Sequence, residues 1–221
     1  MFIGHFAVGL AAKRAAPRVS LGMLFAAGLF ADVLWPVLVA MGVERVAIVQ
    51  GVTVMTPLDF ISYPYSHSLA LLVVWGVLFG LAVRHKDPRA FVVVAALVVS
   101  HWVLDFITHR PDMPLFPGGG PKLGLSLWNS VPATVIVEVA MYLAGAWIYL
   151  QTTRPRNAGG RWGMLVLLST LLLIYIGDAM SRVPPPSVNA IVVVGLAASV
   201  IFIAWAVWAD RNREVVTIGR S

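Results

Sequence analysis

The 221-residue chain contains no cysteine, which excludes disulfides and thiolate metal ligands together. Any metal it binds must be held by nitrogen and oxygen. It is also poor in charge: Asp, Glu, Lys and Arg make up 12% of the residues, against 59% hydrophobic ones. With a mean hydropathy of +0.86, the chain lacks the polar surface that a water-soluble domain of this length needs. A basic tract is missing too. The net charge is +6, but the Lys and Arg residues fall in short clusters between apolar runs, so they read as membrane topology and not as a nucleic-acid partner. There is no internal repeat, low-complexity tract or second domain, so residues 1–221 are expected to form a single polytopic membrane domain.

The fold class expected is an all-α integral membrane protein. Six apolar runs reach spanning length, roughly 21–42, 67–83, 89–108, 130–150, 162–180 and 187–209. A seventh, "MFIGHFAVGLAA", has 12 residues before Lys13 and Arg14, enough for a half-span at ~1.5 Å per residue. Its positive charges follow the apolar stretch, the reverse of a signal peptide. Lys and Arg are unequally divided between alternate connections. Twelve of the 16 lie in one set: Lys13, Arg14, Arg18, Arg84, Lys86, Arg89, Arg154, Arg156, Arg161, Arg211, Arg213 and Arg220. The other set holds only Arg45, Arg110, Lys122 and Arg182. The richer set is expected in the cytoplasm, placing the protein in the plasma (inner) membrane as a multi-pass chain with a cytoplasmic C-terminus. Segments 43–66, 109–129 and 181–186 then face outward.

Apart from Arg89 at the cytoplasmic start of 89–108, no Lys or Arg lies in these spans, yet acids and histidines lie within them. Asp32 stands near the middle of the first span, His67 opens the second, and Glu138 lies about two turns into the fourth. His101 and Asp105 are one turn apart on the third span and share a face, with His109 continuing the stripe. His5 begins the half-span. All fall between the bilayer middle and its outer surface. An ionised group at the bilayer centre costs about 2.5–3.5 kcal/mol on insertion scales. Without basic partners, a bound divalent cation is the means of neutralising the acids while accepting the imidazoles. His5, Asp32, His67, His101, Asp105 and Glu138 give six N/O ligands, enough for one or two ions, with zinc foremost and manganese the alternative. Each taken alone also has a structural reading, as a protonated or hydrogen-bonded buried group. His85, in "RHKDPR", reads as a solvated cytoplasmic residue.

"GHFAVG", an aspartate in the first span, "YSHSL" and "SHWVLDFITH" together resemble the YdjM-like family of membrane-bound metal-dependent hydrolases, also described as a domain of unknown function. The likeness covers about residues 1–110 and implies that His5, Asp32, His67, His101 and Asp105 match the family's polar motif positions. Where family members often carry a Gly-His-Arg-Gly type run, this chain has "ISYPYSHSL", so that arginine is absent. The function expected is hydrolysis by a metal-activated water in the outer half of the bilayer, on a lipid or lipid-linked phosphoester. Glu138 or Asp32 would act as general base, while His109, Arg110 and Lys122 would meet the substrate. Membrane lipid is the partner expected. Two rival readings are an ion or proton transporter and a structural membrane protein whose metal locks helices together. The near-uniform apolarity of the inner half-spans and the lack of an inverted repeat weigh against transport.

Overall fold

The computed structural model describes residues 1–84, 88–181 and 183–216. His85, Lys86, Arg182 and Arg220 lie outside the described residues. The chain begins with α1 (Ile3–Ala15), α2 (Leu21–Gly28) and α3 (Phe30–Ala40). An antiparallel hairpin of β1 (Arg45–Ile48) and β2 (Leu58–Ser62) leads to α4 (Pro64–His67), α5 (Leu69–Val83) and α6 (Pro88–Thr108). Short paired strands β3 (Met113–Pro114) and β4 (Lys122–Leu123) lie in the next connection, followed by α7 (Val131–Thr152). Strand β5 (Thr153–Pro155) precedes α8 (Ala158–Met180) and α9 (Val188–Arg211), and pairs with β6 (Arg213–Val215). The small strand pairs were not expected from the sequence, where apolar helical runs dominate.

Helix starts follow local chemistry. Ser20, Ser130, Asn157 and Ser187 precede α2, α7, α8 and α9, and each side chain accepts the backbone N–H three residues on. These caps satisfy donors that a helix cannot satisfy itself. Small residues then set helix spacing. A Cβ on Gly145 of α7 would lie 2.9 Å from Ala7 Cα, so α1 and α7 touch backbone to backbone. On α5, Gly76 and Gly80 do the same for α6, where a Cβ would come within 2.8 Å of the Ala95 carbonyl and 2.9 Å of the Phe91 carbonyl.

Among the described residues, helices α6 to α9 are the four long and apolar enough to cross a bilayer. Region 21–42 is not the single span expected: α2 and α3 meet at 55°, and counting them as one broken span gives five. Close packing accounts for the break, because Gly28 ends α2 where a Cβ would stand 3.2 Å from the His5 carbonyl, and Leu29 turns the chain there (φ −98°, ψ 5°). Pro36 then lacks the N–H that would serve the Asp32 carbonyl within α3. Region 67–83 also departs from expectation. Ser68 is extended (φ −73°, ψ 138°), so His67 ends the single turn of α4, and α5 keeps 15 residues, ~22 Å at ~1.5 Å each. Apolar faces on α5, α7 and α9 stay exposed, including Val74, Ile136, Trp147, Val193 and Ile201. Surfaces of this kind are compatible with a multi-pass membrane protein.

Helices α1 and α7 run parallel, from the end bearing the β1–β2 hairpin to the end bearing β5 and β6. A buried latch closes the second end: Asp210 accepts from Lys13 Nζ (2.7 Å), Leu21 N (3.0 Å) and Tyr149 Oη (2.7 Å).

Candidate metal centre

At the hairpin end, four elements bring side chains to Asp105. Helix α6 supplies His101 and Asp105 one turn apart, α1 supplies His5, the bend after α2 turns Asp32 inward, and α4 ends on His67. His101 Nε2 stands 3.2 Å from Asp105 Oδ2 and 3.7 Å from Asp32 Oδ1. His67 Nε2 stands 3.8 Å from each of the same two oxygens. His5, His101 and Asp105 form one group of converging ligand atoms; Asp32, His67 and His101 form a second.

Hydrogen bonding at the far side of each ring fixes which nitrogen faces this cluster. His101 Nδ1 lies 2.8 Å from the Gly28 carbonyl, a last-turn acceptor, so Nδ1 carries the proton and Nε2 of the neutral ring is a lone pair. That Nε2 is buried and has no hydrogen-bond partner. His67 Nδ1 is 2.7 Å from Ser66 Oγ, whose own proton goes to Glu44 at 2.6 Å, so Ser66 accepts from His67. His109 Nδ1 donates to Asp112 at 3.0 Å, leaving Nε2 3.9 Å from Asp105 Oδ2. With the rings neutral, His67, His101 and His109 each turn an Nε2 lone pair toward a carboxylate oxygen, an arrangement that a cation in the space would relieve. Tying off the second ring nitrogen is how metal-bound histidines are normally held.

The spacing fits as well. Ligands at ~2.0–2.1 Å from a tetrahedral zinc are about 3.3–3.4 Å apart. The four His–carboxylate separations run from 3.2 to 3.8 Å, each within half an ångström of that edge, while Asp32 and Asp105 fall in different ligand groups that share His101. Asp105 Oδ1 is otherwise engaged, with the Met1 amino group and with His5 Nε2 at 3.0 Å. His5 also stacks on His101 at 3.8 Å, and its Nδ1 has no partner.

The other residues singled out in the sequence occupy different places. Glu138 lies outside both ligand groups: its Oε2 accepts from Phe2 N (2.8 Å) and Gly4 N (3.1 Å), capping the start of α1. His109 lines the cavity beside the cluster, its ring tilted 38° to that of Trp128 at 4.2 Å. Arg110 does not line it; the guanidinium pairs with Asp59 of β2 and with Asp112. Lys122 lines a separate pocket with Tyr63, Asp112 and Phe116. Sequence reasoning missed Ser66 of α4, which orients His67, and the loop acids Glu44 and Asp112, which hold Ser66 and His109 from connections where acids are ordinarily solvated. Burial favours a neutral Asp112, but hydrogen bonds from His109, Tyr63 and Arg110 outweigh it and hold the carboxyl below its ordinary pKa.

The cavity, ≈ 240 Å³, has Asp32, His67, Asp105 and His109 at its polar side. Its walls are apolar: Trp35 and Pro36 of α3 face Ile191, Gly195, Ala198 and Phe202 of α9. Asp32 is the open member of the cluster, its side chain 39% exposed against 3% for Asp105 and His67. Comparison with protein-family models, curated proteins and solved structures finds no match to this chain.

Proposed function

We propose that this protein is a membrane-embedded, metal-dependent hydrolase of the YdjM-like kind, holding one divalent ion, zinc by its ligand set, between Asp32, His67, His101 and Asp105. The observation that carries this reading is the convergence of His67 and His101 Nε2 on Asp32 Oδ1 and Asp105 Oδ2 at 3.2–3.8 Å, with the Nδ1 of each ring held by Ser66 Oγ or the Gly28 carbonyl. A bound ion would lower the pKa of its water toward ~7 and polarise the oxygen of the scissile group. Four protein ligands would close a tetrahedral ion, so Asp32, the most exposed of the four, is the ligand that would give way to a water on the cavity side.

His109 is suited to move the proton. Its Nε2 faces the cluster from the cavity wall, and Asp112 would stabilise the imidazolium formed when the attacking water gives up its proton. As the new bond to oxygen forms and the ester bond breaks, the same proton passes to the leaving oxygen. Glu138, engaged by two backbone N–H groups and absent from the cavity lining, is left to position α1.

Lipid phosphoesters are the substrate class we favour. The cavity is below the about 300–1,000 Å³ of sites that enclose a drug-sized ligand, so the rest of a larger substrate must remain outside. Apolar walls on α3 and α9 suit an acyl or prenyl chain that stays in the bilayer. The test is metal analysis of protein purified without chelator or nickel resin, followed by turnover of lipid phosphoesters. Wild type should retain about one ion per chain and hydrolyse at least one such lipid, whereas Asp105→Asn should lose the ion and His101→Ala both. Wild-type protein that neither retains nor takes up a divalent ion would sink the proposal.

A further inference from the structure

We infer that Glu44 is a positioning residue for the metal centre, acting through the Ser66 hydroxyl on His67. The inference rests on the metal reading above and gives a role to Glu44, which no motif marked. Glu44 sits in the turn before β1 and is 1% exposed. Its Oε1 accepts from Tyr65 N at 2.7 Å and Ser66 N at 2.9 Å, and its Oε2 accepts from Ser66 Oγ at 2.6 Å. These three partners are uncharged. A neutral Ser or Asn would cap the single turn of α4 without bringing a charge out of solvent, so capping alone does not account for a buried carboxylate here.

The next atom along supplies the reason. A hydroxyl has one proton, and Ser66 gives its proton to Glu44. The Ser66 oxygen is then left as an acceptor 2.7 Å from His67 Nδ1, which fixes the proton on Nδ1 and the lone pair on Nε2. With Glu44 neutral or absent, Ser66 could turn its proton toward Nδ1 instead, and His67 would present an N–H to the ion. The buried negative charge also makes the ring a better donor to a cation. Because Glu44 lies between α3 and the hairpin, the relay joins the segment that covers the cavity to the ligand below it.

The test uses full-length protein in detergent, stripped of metal, with wild type, Glu44→Gln, Ser66→Ala and Ser66→Thr compared. Zn²⁺ affinity is read by competition with a chromophoric chelator and ligand geometry by the visible absorption of bound Co²⁺; thermal unfolding of the metal-free forms is recorded in parallel. Glu44→Gln and Ser66→Ala should each weaken Zn²⁺ binding about 10- to 100-fold, the usual consequence of removing an outer hydrogen-bond partner. Their Co²⁺ bands should shift, while Ser66→Thr, which keeps the hydroxyl, should bind close to wild type. A merely structural Glu44 would lower the metal-free melting temperature and leave affinity and Co²⁺ bands alone, and that result overturns the inference. Wild type that binds neither ion removes the metal reading and the relay with it. Wild type that binds both, with variants indistinguishable from it, removes the relay alone.

Discussion

Glu138 changes meaning once its neighbours are known. From the sequence it is a third intramembrane acid at the depth of the ligands, hence a candidate ligand or base. In the fold it takes the amide protons of Phe2 and Gly4, and so holds the helix that carries His5. Glu138→Gln retains one carbonyl acceptor of nearly the same shape, so metal content should be unchanged and stability little altered. Glu138→Ala leaves two amides without their acceptor and should cost about 1–3 kcal/mol in unfolding, the usual range for orphaned buried donors. Metal analysis and thermal denaturation of both variants decide it; loss of metal in Glu138→Gln would restore Glu138 to the ligand set. Residue type and helical spacing were enough to single out His101 and Asp105, because i, i+4 on an apolar run fixes a shared face. They could not separate Glu138 from Asp32, since both are lone acids whose partners are distant in sequence: Phe2 and Gly4 for Glu138, His67 and His101 for Asp32. Glu44 was illegible for the same reason: only the folding of the hairpin against α4 takes it out of water.

Helices give a similar lesson at the next scale. Long apolar runs mark α6 to α9, and the starts of α7, α8 and α9 are capped by residues adjacent in sequence. The two breaks were not legible, as Gly28 and Ser68 look ordinary in a hydrophobic run and yield only to tertiary contacts. Both breaks serve the site, one by freeing the Gly28 carbonyl for His101 and the other by ending α4 on His67. The latch at the opposite end of α1 and α7 is a test of independence between the two ends. Removing the Asp210 carboxylate leaves Lys13, which is 5% exposed, on the Val19 carbonyl without its counter-charge, and takes acceptors from Leu21 N and Tyr149 Oη. Asp210→Leu should therefore lower stability by about 3–5 kcal/mol, and the Lys13→Met/Asp210→Leu double variant should recover a large part of it. Denaturation in detergent measures the three. Recovery in the double variant with an unaltered metal content would mean that the latch holds helices together without shaping the site. A double variant as unstable as the single would show that Lys13 is not the stranded group.

Across the whole molecule, the two ends differ in charge as well as chemistry. The end with β5 and β6 carries Lys13, Arg14, Arg18, Arg84, Arg89, Arg154, Arg156, Arg161, Arg211 and Arg213, while the hairpin end carries Arg45, Arg110 and Lys122 among the described residues. Ten against three remains lopsided even if Lys13 and Arg213, both buried, are set aside. Acidic residues contribute little to orientation, so the pairing of Arg154 with Glu214 does not alter the bias. The metal cluster is then expected on the non-cytoplasmic side. His101 and Asp105 lie ~20 and ~26 Å along α6 from Pro88 at ~1.5 Å per residue, within a hydrocarbon core ~30 Å thick and near its far boundary. A substrate group would reach them from the outer headgroup layer, with its chain still in the membrane. Reporter fusions after Arg89 and Arg156 should report the cytoplasm, and a fusion near Gly119 should report the opposite side. If instead Gly119 proves cytoplasmic, the site opens on the inner leaflet, its metal is drawn from the cytoplasm, and the candidate substrates become inner-leaflet lipids even though every ligand distance is unchanged.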